Sequence, residues 1–102
     1  MAEANVDDID DIEVTEVSDD IQVTIRYFAA ARAAAGAESE TVTVRAGTTV
    51  AELVQRLAVP GTRLATVLDR CSYLCDGIAV RDDSKPLRRG NTIDVLPPFA
   101  GG

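Results

Sequence analysis

The chain contains no histidine and no tryptophan, one lysine, one methionine, two cysteines and only four aromatic residues among its 102 positions. Without histidine, a Ser-His-Asp triad and any histidine-bearing metal site are excluded. The two cysteines, Cys71 and Cys75, are too few for a structural zinc site. On one continuous strand their Cα atoms would stand about 13 Å apart, beyond the reach of a disulfide. Their even spacing puts both on one face, where reduced and buried small hydrophobes are the expected state. A sulfur relay at Cys75, beside Asp76-Gly77, is the alternative. No base-activated nucleophile and no carboxylate pair at informative spacing is present, so the side chains alone make a poor enzyme. No apolar run approaches membrane-spanning length, and no basic-then-apolar signal opens the chain. The expectation is a cytoplasmic protein that engages no membrane.

The charge that is present is unevenly placed. Ten basic against seventeen acidic residues give a formal charge of -7, which argues against nucleic acid as a partner. Nine of those acids (Glu3, Asp7, Asp8, Asp10, Asp11, Glu13, Glu16, Asp19 and Asp20) lie in residues 1–20, which hold no base. Residues 21–102 therefore carry eight acids and ten bases, a net +2. Dense like charge with low hydrophobicity predicts a disordered acidic leader over residues 1–20 and one domain over 21–102. Within the leader, Ile12-Glu13-Val14-Thr15 alternates and could add to a sheet edge on a partner; an inert solubilising role is the alternative.

In the domain, Ile21, Val23, Ile25 and Tyr27 alternate with Gln22, Thr24 and Arg26, predicting a strand. Phe28 falls on its polar face. The alanine-rich stretch from Ala29 to Ala35 predicts a short helix stopped by Gly36, with Arg32 solvating it. Glu40 to Arg45 alternates with Val42 and Val44 inward. Thr49 and Glu52 have capping-box spacing, and Val50, Leu53, Val54 and Leu57 make one apolar helical stripe ending before Pro60-Gly61. Leu64, Val67 and Leu68 predict a further helical turn. Asp76-Gly77 predicts a hairpin between Cys71-Ser72-Tyr73-Leu74 and Ile78-Ala79-Val80. Leu87 is a candidate core plug, and Arg89-Gly90-Asn91 turns into a last strand from Thr92 to Leu96, with Ile93 and Val95 inward and Asp94 and Leu96 outward. The order predicts an α+β roll, a small mixed sheet packed on one main helix.

The last strand feeds Pro97-Pro98-Phe99-Ala100-Gly101-Gly102. The diproline removes two backbone donors and holds the exit extended. Two glycines can pass a channel too narrow for a side chain, which presents the Gly102 carboxylate as the furthest group. A frayed end is the alternative for the glycine pair alone. Phe28 and Leu96 are outward apolars at the ends of two strands. If those strands are adjacent and parallel, the two meet where the tail departs, and Pro97 and Phe99 extend the patch. A contiguous apolar group of this kind marks a docking surface, unless the tail folds back over it.

Taken together, Arg26-Tyr27-Phe28-Ala29-Ala30-Ala31-Arg32 with Gly36, Thr49-Val50-Ala51-Glu52-Leu53, and Gly90-Asn91-Thr92-Ile93-Asp94-Val95-Leu96 running into the Pro-Pro-x-x-Gly-Gly end resemble the ubiquitin-like, β-grasp sulfur carriers. Within that family the resemblance is to the MoaD-like small subunits of molybdopterin synthase. It covers residues 21–102 and says nothing of the first twenty. It implies a carrier, not an enzyme, with Gly102 and Gly101 as the reacting end and Phe28, Leu96, Pro97, Pro98, Phe99 and Ala100 as partner-binding residues. An E1-like enzyme using Mg-ATP would adenylate Gly102, and a sulfur donor would convert it to a thiocarboxylate. The large synthase subunit, in a two-plus-two heterotetramer, would pass the sulfur to precursor Z. No cofactor or metal is implied on this chain. A carrier for thiamine or cysteine biosynthesis, a modifier attached to target lysines and a plain interaction domain remain open alternatives.

Overall fold

The computed structural model describes residues 20–98. Five strands and three helices follow in the order β1 (Asp20–Tyr27), α1 (Ala29–Ala35), β2 (Ser39–Arg45), α2 (Val50–Leu57), α3 (Arg63–Leu68), β3 (Ser72–Cys75), β4 (Ile78–Ala79) and β5 (Thr92–Leu96). The strands form one mixed sheet in the order β2-β1-β5-β3-β4. β1 runs antiparallel to β2 and parallel to β5, while β3 is antiparallel to both β5 and β4. The last strand in sequence thus becomes the middle strand of the sheet.

Local chemistry sets the element ends. Gly36 takes a left-handed φ of 74° and its N–H donates to the Arg32 carbonyl, closing α1 where a Cβ would be strained. At α2, Thr49 Oγ1 accepts from the Glu52 N–H at 3.1 Å while the Glu52 carboxylate accepts from the Thr49 N–H at 2.9 Å, a complete capping box. Thr62 caps α3 through the Ala65 N–H. Asp76 and Gly77, with φ of 51° and 84°, make a two-residue hairpin turn with both dihedrals positive, the type that matches strand twist.

The core follows the alternation along the strands. Ile21, Val23, Ile25 and Tyr27 of β1, Val44 of β2, and Ile93 and Val95 of β5 are buried beneath Ala31, Val50, Leu53 and Leu68 of the helices. Leu53 is fully buried, worth roughly 1.5–3 kcal/mol of apolar transfer. Leu87 reaches the same core from a loop, held by its N–H donating to Thr48 at 2.7 Å. Tyr27 donates its hydroxyl to Glu40, and Tyr73 donates to the Leu68 carbonyl at 3.1 Å.

Two details differ from the sequence reading. Cys71 precedes β3 instead of lying on it, so the premise of one continuous strand through both cysteines fails. Both remain free and half-buried against the core, and the Cys71 Sγ–H donates to Val67. The second hairpin arm is only Ile78–Ala79, and Ile78 is 73% exposed at the sheet edge. Among the described residues no helix is long and apolar enough to cross a membrane, and no group of three or more His, Cys, Asp or Glu is placed to hold a metal.

Candidate functional site

The parallel register of β1 with β5 (Thr24 opposite Thr92, Arg26 opposite Asp94, Tyr27 opposite Val95) brings the ends of both strands to one edge. The pairing continues one step further, because the Phe28 N–H donates to the Val95 carbonyl at 3.2 Å. Phe28 and Leu96 therefore finish neighbouring strands on the outward face, where the chain departs toward its C-terminus. Phe28 is extended (φ -123°, ψ 152°) and its carbonyl accepts from Ala31 and Arg32, the first turn of α1. Ala29, with a left-handed φ of 48°, makes the sharp change of direction between strand and helix. Its Cβ makes this an uncommon conformation, held by the elements on either side.

The two ends differ in exposure. Phe28 is 38% exposed. Leu96 is half-buried, Pro97 is buried and Pro98 is exposed. The expectation that Pro97 extends an open patch is therefore corrected. Pro97 is an anchor of the exit, and the outward surface consists of the Phe28 ring, part of Leu96, and Pro98. Phe99, Ala100, Gly101 and Gly102, which include the expected reacting end, lie outside the described residues. So does the expected leader, apart from Asp20.

A charged clamp lies directly behind this surface. Arg26 Nε and Nη2 donate to the two carboxylate oxygens of Asp94 at 2.7 and 2.9 Å, a bidentate pair that ties β1 to β5. The Arg26 guanidinium carbon also stands 5.5 Å from the Phe28 ring centroid, within cation–π range. Asp94 is 5% exposed although it sits on the outward face. Its hydrogen bond and charge push the Arg26 pKa above the ordinary guanidinium value. Beside Phe28, a hollow of about 260 Å³ opens between β1 and α1, with Arg32 paired to Glu38 at 3.1 Å. The sequence reading overlooked the clamp. Its signal was available, since Arg26 and Asp94 each stand two positions before an outward apolar residue, and parallel neighbours in that register face each other.

Fold and site together define a ubiquitin-like β-grasp protein. SAMP1 from Haloferax volcanii superposes with a TM-score of 0.67 at 22% identity, covering 79% of this chain and 99% of that one. The solution structure of the Haloferax volcanii HVO 2177 protein gives a TM-score of 0.70 at 27% identity, covering 82% of this chain and 89% of that chain. The ThiS family pattern matches residues 25–102, and the chain belongs to the ThiS family. In sequence it is 26% identical over 83 residues to the molybdopterin synthase sulfur carrier subunit of Chlamydomonas reinhardtii, 80% of this chain and 100% of that protein.

Proposed function

We propose that this protein is the sulfur-carrying small subunit of a molybdopterin synthase, with the Gly102 carboxylate as its working group. The observation that carries the reading is the family match, which runs from β1 through the terminal Gly101-Gly102, joined to full-length similarity with a relative of that name. A C-terminal carboxylate, with a pKa of about 3.5, is ionised at neutral pH and inert as an acyl donor. The carboxylate oxygen attacks the α-phosphorus of ATP on an E1-like activating enzyme, releasing pyrophosphate and forming an acyl-adenylate. A sulfur donor at the oxidation level of sulfide then displaces AMP and leaves a thiocarboxylate. The carrier docks through Phe28 and the Leu96-to-Pro98 exit onto the large synthase subunit, which receives the tail and provides the catalytic groups for transfer to precursor Z. The Arg26–Asp94 pair holds the two halves of that docking edge in register.

The test is intact mass after incubation with the activating enzyme, ATP and a sulfur source. Exchange of one oxygen for one sulfur supports the carrier, and Gly102→Ala, which adds a methyl where the tail must pass a narrow channel, should block it. An unchanged mass overturns the reading. Likeness to a small archaeal modifier protein favours one competitor, attachment of Gly102 to lysines on other proteins. That reading expects a ladder of heavier conjugates in the same reaction.

A further inference from the structure

A groove of about 570 Å³ lies at the end of the sheet where β1 and β5 begin, away from Phe28. Its floor is apolar, with Val50 and Leu87 buried, Val80 half-buried, and Ile78 at the edge strand 73% exposed. Its rim is cationic, with Arg81, Lys85 and Arg88. The ion pairs among the described residues, Arg26–Asp94 and Arg32–Glu38, use none of these bases. Two acids stand among them, both engaged locally. Asp76 accepts from Asn91 Nδ2 and the Thr92 N–H, each at 2.8 Å, and Asp82 accepts from the Ser84 N–H and hydroxyl.

The same chain carries a segment of complementary chemistry. Residues 1–19 hold eight acids and no base, with Val6, Ile9, Ile12, Val14 and Val17 spaced between them. Topology attaches that segment beside the groove. Asp20 opens β1, the Gly90 N–H donates to Gln22 and the Thr24 N–H donates to Asn91, each at 2.9 Å, so the loop of residues 88–91 lies against the first residues of β1. Extended chain covers about 3.3 Å per residue, which gives Val17 a reach of about 10 Å from Asp20 and Ile12 about 26 Å.

We propose that residues 6–17 of the same molecule dock in this groove, apolar side chains toward Ile78 and Val80 and carboxylates toward Arg81, Lys85 and Arg88. Docking there covers an exposed apolar residue on a sheet edge, where an open strand invites pairing with other chains. It leaves Phe28 and the departing tail clear, because those lie at the opposite ends of β1 and β5.

The test is amide NMR on the full chain. Neutralising the leader with Asp7→Asn, Asp8→Asn, Asp10→Asn, Asp11→Asn, Glu13→Gln and Glu16→Gln should shift amides of residues 76–88 while those of β2 stay fixed. Reversing the rim with Arg81→Glu and Lys85→Glu should shift amides of residues 7–17. Raising salt from about 10 mM to about 1 M, which shortens the screening length from about 30 Å to about 3 Å, should move both sets the same way. Leader amides unmoved by the rim reversal, in a protein whose domain spectrum stays dispersed, overturn the proposal. Shifts that grow with protein concentration also overturn it, since they assign the groove to a second copy.

Discussion

The two tyrosines offer a sharp physical check on the packing around the central strand. Tyr27 of β1 and Tyr73 of β3 both stand opposite Val95 of β5 on the core side of the sheet. Burial first, then the Glu40 carboxylate that accepts its hydroxyl, holds the Tyr27 phenol far above its ordinary pKa. Burial pushes Tyr73 up to about 12, with Cys71 and Asp69 adding repulsion. At pH 11 a tyrosine of ordinary pKa near 10 is roughly nine-tenths ionised, whereas one at 12 is roughly one-tenth ionised. The folded state thus keeps protons that the unfolded chain releases from about pH 10. Stability from these groups is fully present below that pH and is lost as pH rises toward and through about 12. Cys71 and Cys75, whose thiols are raised by burial from 9.0, add the same sign of effect starting lower. A tyrosinate absorbance titration, native against denatured, with circular dichroism reporting the fold, reads this directly. A Tyr27→Phe chain isolates Tyr73, whose titration should centre near 12. Half-ionisation of either tyrosine near pH 10 with native dichroism intact would refute the packing argument.

Other perturbations separate the fold from the docking edge. Thr49→Ala removes one arm of the capping box and should cost about 1 kcal/mol, lowering the melting temperature by about 4–8 °C. Adding Glu52→Ala should cost less than the sum of the two single changes. Arg26→Met leaves the buried Asp94 carboxylate unpaired, whereas Asp94→Asn leaves only a solvated guanidinium. The first should therefore melt at the lower temperature. Phe28→Glu should weaken binding to the large synthase subunit more than about tenfold by calorimetry at unchanged melting temperature, as expected of a desolvated aromatic anchor. Leu96→Glu should weaken it too, with an added loss of stability because Leu96 is half-buried.

What could be read without coordinates was mostly local. Period-two alternation placed β1, β2 and β5, Gly36 and the Thr49–Glu52 box set helix ends, and Asp76-Gly77 marked the hairpin, because each depends on neighbours within a few positions. Long-range facts were harder. The parallel pairing of β1 with β5 was reasoned from the commonness of such rolls rather than derived from these residues. The burial of Asp94 depends on Arg26, 68 positions earlier. Pro97 is covered because it follows the central strand, which no local pattern announces. At the site, Phe28 and Leu96 stood out as violations of alternation, whereas the clamp behind them obeyed the pattern and passed as surface polarity.

The most direct measurement is complementation of a strain lacking its own carrier, scored by molybdenum-enzyme activity. The full chain should restore activity, and a chain ending at Ala100, expressed to the same level and folded, should restore none. Restoration by the shortened chain would contradict the claim that the protein works through its final carboxylate.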